Sequence, residues 1–156
     1  GLDEQDANAF LPHKVGMVVQ EHIAAHFEPF GTDSPLAGVS PAEVMNRDPR
    51  NLPLVARGAA VVGNGVLATA EGGRVVFCQL GPWQFDYSGE KMNVKRTFRR
   101  VSCLVNRLLA NLGAGGKTRL LSHFAKPAGE TETRWLDGLY LDVPEEWDDP
   151  YRFFRW

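Results

Sequence analysis

One stretch of the chain has the hydrophobic spacing of an α-helix. Between residues 93 and 112, apolar side chains recur every three or four positions, which places them on one face of a helix. They are Val94, Phe98, Val101, Val105, Leu108 and Leu112, and Leu104 and Leu109 widen the stripe. Gly113 follows, at the position where a left-handed residue commonly ends a helix. The pattern predicts one long amphipathic helix from Asn93 to Leu112.

Runs of β-prone residues before this helix predict strands. Residues 60–62 and 66–70 are separated by Gly63-Asn64-Gly65, and Gly72-Gly73 leads into the run 74–80. An earlier strand is expected to run through Val19, because apolar residues alternate from Val15. Residues 28–57 contain five prolines, so we expect an ordered loop there, with one short helix beginning at Ser40.

These elements indicate an α/β domain, with α+β as the alternative, in which the long helix packs on a mixed sheet. Residues 1–11 are predicted to be a disordered N-terminal segment, and residues 12–125 are predicted to form the core domain. Residues 126–156 are predicted to form a linker, a strand at Trp135–Asp142 and an acidic, aromatic tail that folds back on the core.

Composition narrows the classes of partner. The chain has 156 residues, and 44% of them are hydrophobic, which is enough for a core of one domain. A formal net charge of -2 argues against a nucleic-acid partner, and no apolar run is long enough to cross a bilayer. Cys78 and Cys103 are most simply two buried thiols, and the alternative is one disulfide between strand and helix.

The charges of the predicted helix call for a compensating partner. Its first half carries four cations, Lys95, Arg96, Arg99 and Arg100, although the macrodipole disfavours cations at a helix N-terminus. The six acidic residues between Asp137 and Asp149 are the natural intramolecular partners. The alternative is an anionic ligand, or an acidic face of another protein, bound by the arginines.

Two segments carry candidate ligand-binding residues. Trp83, Asp86 and Tyr87 lie in one aromatic loop, and aromatic rings suit the C–H face of a sugar. The same aromatics, with those of the tail, are alternatively anchors for the tail. Arg47 and Asp48 lie in a proline-bounded segment that is predicted to be an Asx-type turn with an arginine tied to a carboxylate, or else a loop that faces a ligand.

Catalytic and metal chemistry have weaker signals. His22 and His26 have the four-residue spacing of metal ligands on a helix, but two ligands do not make a site, and neither a metal nor a cofactor is expected. Cys78 lacks the glycines of a nucleophile elbow. A glycoside hydrolase would need paired carboxylates, such as Glu43 with Asp48 or Asp86 with Glu90.

Several phrases of the sequence together resemble a known group of proteins. They are residues 21–23, 34–39, 46–50, 75–80, 95–100 and 148–152. They are similar to the C-terminal region of large bacterial proteins related to glycoside hydrolases, in which residues 12–113 look like part of a class I glutamine-amidotransferase-like domain, the type that also serves β-galactosidase trimerisation.

The resemblance implies a non-catalytic accessory module of a carbohydrate-active protein. Its role would be carbohydrate binding or assembly, with a sugar, other domains of a larger parent chain or further copies of this chain as partners. It also implies a secreted or periplasmic location. Amidotransferase activity is not expected, because the Gly-x-Cys-x-Gly elbow of that family is missing.

Overall fold

A computed structural model describes residues 3–12 and 14–117 together with Leu121, Phe124, Pro127 and Ala128. The predicted strand at Trp135–Asp142 and the acidic, aromatic tail lie outside these residues. The helices and strands, in chain order, are α1 (Glu4–Phe10), β1 (Gly16–His22), β2 (Arg50–Arg57), β3 (Ala60–Val62), β4 (Leu67–Ala70), β5 (Val75–Cys78) and α2 (Met92–Asn111). Short 3-10 helices occupy Pro41–Val44, Glu71–Gly73 and Pro82–Gln84.

The strands form two small antiparallel sheets. β1 pairs with β2 in one sheet, and β3, β4 and β5 pair in that order in the other. The prediction of a mixed sheet is therefore wrong for the described residues, and the combination of helices with antiparallel sheets is α+β. The physical reason is that the strands of the second sheet are joined by tight turns, which impose antiparallel pairing, and not by helical crossovers.

β2 lies where the sequence predicted a loop. Pro53 sits inside it, opposite Val19 of β1. The next residue of the same parity, Val55, donates its N–H away from β1, to the carbonyl of Gly65 at 2.9 Å. N–H groups two residues apart in a strand point to the same side. An N–H at position 53 would therefore point away from β1, so the proline costs the β1–β2 pairing no hydrogen bond.

The same hydrogen bond joins the two sheets, because Gly65 belongs to the turn between β3 and β4. Gly65 has a φ of +90°, and a Cβ added there would lie 2.1 Å from the Val55 carbonyl oxygen. Glycine is therefore required both by the backbone conformation and by the close approach of β2.

The second sheet lies between two apolar clusters. Leu67 of β4 belongs to the larger cluster, which includes Val101 and Leu104 of α2, whereas Ala68 and Ala70 belong to a smaller cluster with Ala7 of α1. Adjacent residues of a strand point to opposite faces, so the sheet is covered by α2 on one face and by α1 on the other.

α1 corrects the prediction of a disordered start. Asp3 caps this helix by accepting a hydrogen bond from the N–H of Asp6 at 2.8 Å. The side chain of Asn8 donates to the Val15 carbonyl at 2.9 Å and accepts from the Val15 N–H at 2.8 Å. Capping and this two-point attachment hold α1 on the core, and neither is visible as hydrophobic periodicity.

α2 confirms the predicted position of the long helix. It ends in a Schellman motif: the Ala114 N–H bonds the Leu109 carbonyl at 2.8 Å, and the Gly113 N–H bonds the Ala110 carbonyl at 2.9 Å. Gly113 has the predicted left-handed φ, at +83°. The buried residues of α2 include Arg99 and Arg100 besides its apolar side chains. Within the part of the chain that the structure describes, no helix combines the length and the apolarity needed to span a bilayer.

Candidate functional site

An apolar groove runs along β5 among the described residues. Its volume is about 540 Å³, within the range of pockets that bind ligands or peptide side chains. β5 forms the floor, α1 forms one wall, and the C-terminal half of α2 forms the other. The lining residues are Ala7, Phe10, Leu11, Val75, Val76, Phe77, Cys78, Gln79, Leu80, Trp83, Val105, Leu108, Leu109 and Leu112. We call this feature the β5 groove.

β5 is an edge strand, and its outer side faces the β5 groove. The Gln79 N–H bonds the Val66 carbonyl of the β4 side at 2.9 Å. Hydrogen-bonded residues alternate along an antiparallel strand, so Val75 and Phe77 also direct their backbone groups to β4. Val76 and Cys78 therefore direct their N–H and C=O groups to the outer side, where the described residues place no further strand.

The two faces of β5 pack against different apolar clusters. Val76 and Cys78 pack against the cluster that contains α2, and Val75 and Phe77 belong with the cluster that contains α1. The β5 groove thus has apolar surface both above and below the sheet edge. An edge of this kind is a template for a further strand.

Large apolar side chains at the rim of the β5 groove are open to solvent. Phe10 is 81% exposed and Trp83 is 73% exposed, and Leu109 and Leu112 are also exposed. A contiguous group of this kind marks an interaction surface more often than scattered single residues do.

Trp83 reaches the rim because Gly81 has no side chain. A Cβ on Gly81 would lie 2.3 Å from Cζ2 of the indole, so the ring lies directly against this glycine. Pro82–Gln84 form a 3-10 helix, and the Gln84 side chain accepts a hydrogen bond from the Gly81 N–H at 2.9 Å. The loop therefore holds the indole against the end of β5.

Cys78 lines the β5 groove as an unreactive thiol. Burial raises the pKa of this thiol to about 11, and its Sγ donates a hydrogen bond to the Leu80 carbonyl at 3.1 Å. A thiol that stays protonated at neutral pH is a poor nucleophile. Cys78 and Cys103 are not joined by a disulfide, which confirms the prediction of two separate thiols.

The predicted ligand residues outside the β5 groove belong to two connected turns. The Asp48 N–H bonds the Asn46 side chain at 2.9 Å, and Arg50 Nη2 lies 2.7 Å from Asp48 Oδ2, which confirms the predicted Asx turn with an arginine tied to a carboxylate. Arg50 also donates to the Gln84 carbonyl and lies 4.4 Å over the Phe85 ring. It thereby ties this turn to the aromatic loop.

Other candidate residues are engaged locally. The Arg47 N–H bonds Thr97 Oγ1 at 3.4 Å. Hydrogen bonds from the Ser88 hydroxyl and N–H lower the pKa of Asp86, which lies at the surface. Tyr87 stacks on Phe98 of α2 with 4.5 Å between ring centroids. Tyr87 therefore packs on α2, whereas Trp83 lines the β5 groove, and the two rings do not form one platform.

The two histidines have unrelated environments. His22 is completely buried; its Nε2 bonds the Val44 carbonyl at 2.7 Å, and its Nδ1 bonds the Asn64 side chain at 2.9 Å. His26 is exposed, 3.8 Å from Glu28. The helical spacing argument is wrong here because His22 ends a strand. No cluster of three metal-binding side chains occurs among the described residues.

Of the carboxylates proposed for hydrolysis, Glu43 is buried. Its Oε2 accepts a hydrogen bond from the Ser40 N–H at 2.7 Å, as the predicted capping pattern requires. Burial raises the pKa of Glu43 to about 7, against the lowering effects of the Ser40 hydrogen bond and the Arg107 charge. This carboxyl group caps a short helix inside the fold, whereas Asp48 is part of the surface turn.

No known protein family, curated protein or solved structure matches the chain. The β5 groove was not predicted as a site. Two signals pointed to it: the run Val75–Cys78 is apolar on both faces, as in strands covered on both sides, and Leu109 widens the apolar stripe of α2 toward it.

Proposed function

We propose that this protein is a non-catalytic assembly module that binds an extended, apolar peptide segment along the outer edge of β5. The observation that carries the proposal is the β5 groove, in which an unpaired strand edge lies between two apolar walls. Peptide recognition by strand addition uses these two components: main-chain hydrogen bonds supply affinity, and pockets for alternate side chains supply specificity.

The chemistry of the β5 groove defines the partner. Val76 and Cys78 offer two N–H donors and two carbonyl acceptors, which an extended backbone matches and a sugar or a flat aromatic compound does not. Successive side chains of the added strand would point alternately at α1 and α2. The partner is therefore a segment that is apolar on both faces, as strands buried on both sides are.

Protein assembly is favoured over carbohydrate binding because the aromatic residues are divided. Sugar recognition by stacking would use Trp83 and Tyr87 as flat, open faces. Trp83, although 73% exposed, lines the apolar β5 groove, whereas Tyr87 is stacked on Phe98 outside it, so the two rings do not form one face. An accessory role beside a carbohydrate-active parent, as the resemblance implies, is compatible with assembly and stays part of the proposal.

The experiment is a titration of the full 156-residue chain, followed by amide NMR. The probe is a peptide of seven alternating valine and leucine residues with a lysine at each end for solubility, and the matched control is the same peptide with proline at its centre. We expect the probe to shift the amide signals of Val76 and Cys78 and the indole signal of Trp83. Val61, on the opposite edge strand, should not shift, and the proline peptide should have little effect because it lacks a ladder donor.

Two results would overturn the proposal. One is shifts that fall on Asp48, Asp86 and Tyr87 and leave β5 unchanged. The other is the absence of any shift at Val76 and Cys78 when the probe is in large excess over the chain.

A further inference from the structure

We infer that the partner of the β5 groove is the β5 strand of a second copy of this chain, so that one antiparallel sheet continues through a dimer. This inference rests on the proposed function and names the partner that the same site binds. The two β5 strands would run antiparallel about a two-fold axis at Phe77. A contact in which both copies use the same surface closes the assembly at two copies.

β5 is itself a segment of the kind that the β5 groove selects. Val75–Cys78 is extended and carries an apolar side chain at every position, directed alternately at the two apolar clusters. Strand edges are usually protected from pairing by charged residues, proline or a bulge. The described residues that line the β5 groove include no charged residue and no proline, and the β4–β5 pairing contains no bulge. A second copy therefore meets neither a like charge nor a blocked edge.

The outward backbone groups of β5 fix the register of the two strands. The groups on either side of the outward pair are engaged within the chain: the Arg74 N–H bonds the Glu71 carbonyl at 3.4 Å, and the Leu80 carbonyl accepts from Cys78 Sγ at 3.1 Å. This leaves the N–H and C=O groups of Val76 and Cys78 for a partner. A two-fold axis between them places Val76 opposite Cys78 of the second copy, and such opposed residues exchange both of their N–H···O bonds.

The same axis brings the exposed apolar flanks of the helices together. It is perpendicular to the sheet, so α1 would meet α1 of the second copy on one face, and α2 would meet α2 on the other. Phe10 is exposed on α1, and Leu109 and Leu112 are exposed on α2. The helices leave space for the second sheet edge, because their buried residues share apolar clusters with Leu67 and Ala68 of β4, the strand behind β5.

The exposed apolar area suits a small dimer interface. Phe10 is 81% exposed and Trp83 is 73% exposed, and a buried aromatic side chain covers about 150–250 Å². The two rings would therefore bury roughly 300 Å² per copy, against about 800 Å² per partner in an interface of standard size. Leu109, Leu112 and the edge of β5 add to this area. We expect a dimer of micromolar affinity, whose population changes with concentration.

Sedimentation equilibrium of the full 156-residue chain tests the inference. We expect the mass of one chain at low micromolar concentration and the mass of two chains at high micromolar concentration. Over the same range, hydrogen exchange should show rising protection of the Val76 and Cys78 amides, although neither bonds to β4.

A proline on the outer side of β5 tests the hydrogen-bonded edge. Val76→Pro removes a donor that points away from β4, so the sheet within each copy keeps its hydrogen bonds, whereas the dimer loses one hydrogen bond per copy. We expect the dimer dissociation constant to rise at least about 10-fold. Val61→Pro is the matched control. Val61 lies opposite Ala68, whose backbone groups face Phe77, so its N–H also points outward, but on the opposite edge strand.

A second variant tests the helix contact without altering β5. Leu109→Lys replaces an exposed apolar side chain of α2 by a charge and places like charges from the two copies close together. We expect this variant also to weaken the dimer about 10-fold or more. Val19→Lys is the matched control, because Val19 is 70% exposed on β1 and does not line the β5 groove. It should leave the dissociation constant unchanged.

Other results would overturn the inference. A chain that remains monomeric at every concentration does so directly. A dimer that tolerates both Val76→Pro and Leu109→Lys uses a different surface, and masses above two chains show that unlike edges pair in an open series. Protection of Val76 and Cys78 that is independent of concentration would assign the outer edge to a segment of the same chain.

The probe peptide separates this inference from the proposed function. If both hold, the probe and the second copy compete, so the probe concentration at half saturation rises with the concentration of the chain. Probe binding at β5 of a chain that never dimerises supports the proposed function and overturns the inference. A dimer that Val76→Pro dissociates, together with no probe binding to the monomer at low chain concentration, supports the inference and overturns peptide recognition.

Discussion

At the scale of single residues, burial decides what Glu43 does. This carboxyl group is 7% exposed and caps the Pro41–Val44 helix through the Ser40 N–H. Burial disfavours the charged form and raises its pKa from 4.5 to about 7. Between these two pH values, Glu43 is protonated in the folded chain and ionised in the unfolded chain. Lower pH therefore favours the folded state.

The expected consequence is a stability that decreases as the pH rises. From pH 4.5 to 7 the unfolded chain binds fewer protons than the folded chain, and Glu43 lowers the free energy of unfolding by about 3 kcal/mol across this window. In Glu43→Gln this contribution should vanish. Urea unfolding at several pH values would measure it, with Glu28→Gln, an exposed position, as control. If the free energy of unfolding changed with pH in the same way for the parent and Glu43→Gln, the raised pKa of Glu43 would be contradicted.

At the scale of elements, the sequence predicted what local chemistry determines. The stripe from Val94 to Leu112 and the following Gly113 predicted α2 and its left-handed cap, because periodicity and capping act within one or two turns. The three strands 60–62, 67–70 and 75–78 were also expected, since Gly63–Gly65 and Gly72-Gly73 mark the turns between β-prone runs.

The missed elements depend on contacts distant in sequence. Prolines at 49 and 53 favoured a loop, but Val19, the partner of Pro53, lies 34 residues earlier (53 − 19), and only the tertiary hydrogen bonds show that the Pro53 nitrogen points away from β1. The polar composition of residues 4–10 favoured disorder, but Asn8 and Val15 attach α1 to the core. Tertiary contacts thus overrode local propensity in both cases.

The junction of the two sheets gives an element-scale prediction. Gly65→Ala introduces both strain at φ +90° and a clash with the Val55 carbonyl, so we expect the free energy of unfolding to fall by more than about 2 kcal/mol. Gly113→Ala is the matched control: it has a similar φ but no atom within 4 Å of the added Cβ, and should lose only about 1 kcal/mol. Denaturant unfolding compares them. Equal losses would show that the clash is relieved by movement of the turn.

At the scale of the whole molecule, the order of layers creates the site. α1, the second sheet and α2 are stacked so that the edge strand β5 opens between two helices. The sequence indicated that Val75–Cys78 is apolar on both faces, but not that it is an edge. The predicted candidates Trp83, Asp86, Tyr87, Arg47 and Asp48 are instead distributed between the β5 groove and the Arg50-linked turns.

The β5 groove depends on α1, and α1 depends on Asn8. Asn8→Ala removes both hydrogen bonds to Val15 and leaves a buried N–H and C=O without these partners, at a cost of about 1–3 kcal/mol. We expect amides of α1 to exchange faster in the full chain, and the probe peptide to bind more weakly, because Phe10 and Leu11 no longer hold one wall in place. Hydrogen exchange and the peptide titration measure the two effects.

Asn51→Ala, an exposed position on β2, is the matched control and should change neither quantity. If Asn8→Ala loosens α1 and peptide binding is unchanged, recognition is confined to β5 and α2, and α1 covers the core without contacting the partner. If α1 exchanges as in the parent, the helix is held by Ala7 in the smaller cluster and by the hydrogen bond from the Met17 N–H to Glu4, at 2.7 Å. The wall of the β5 groove would then be part of the rigid core and not a separately attached helix.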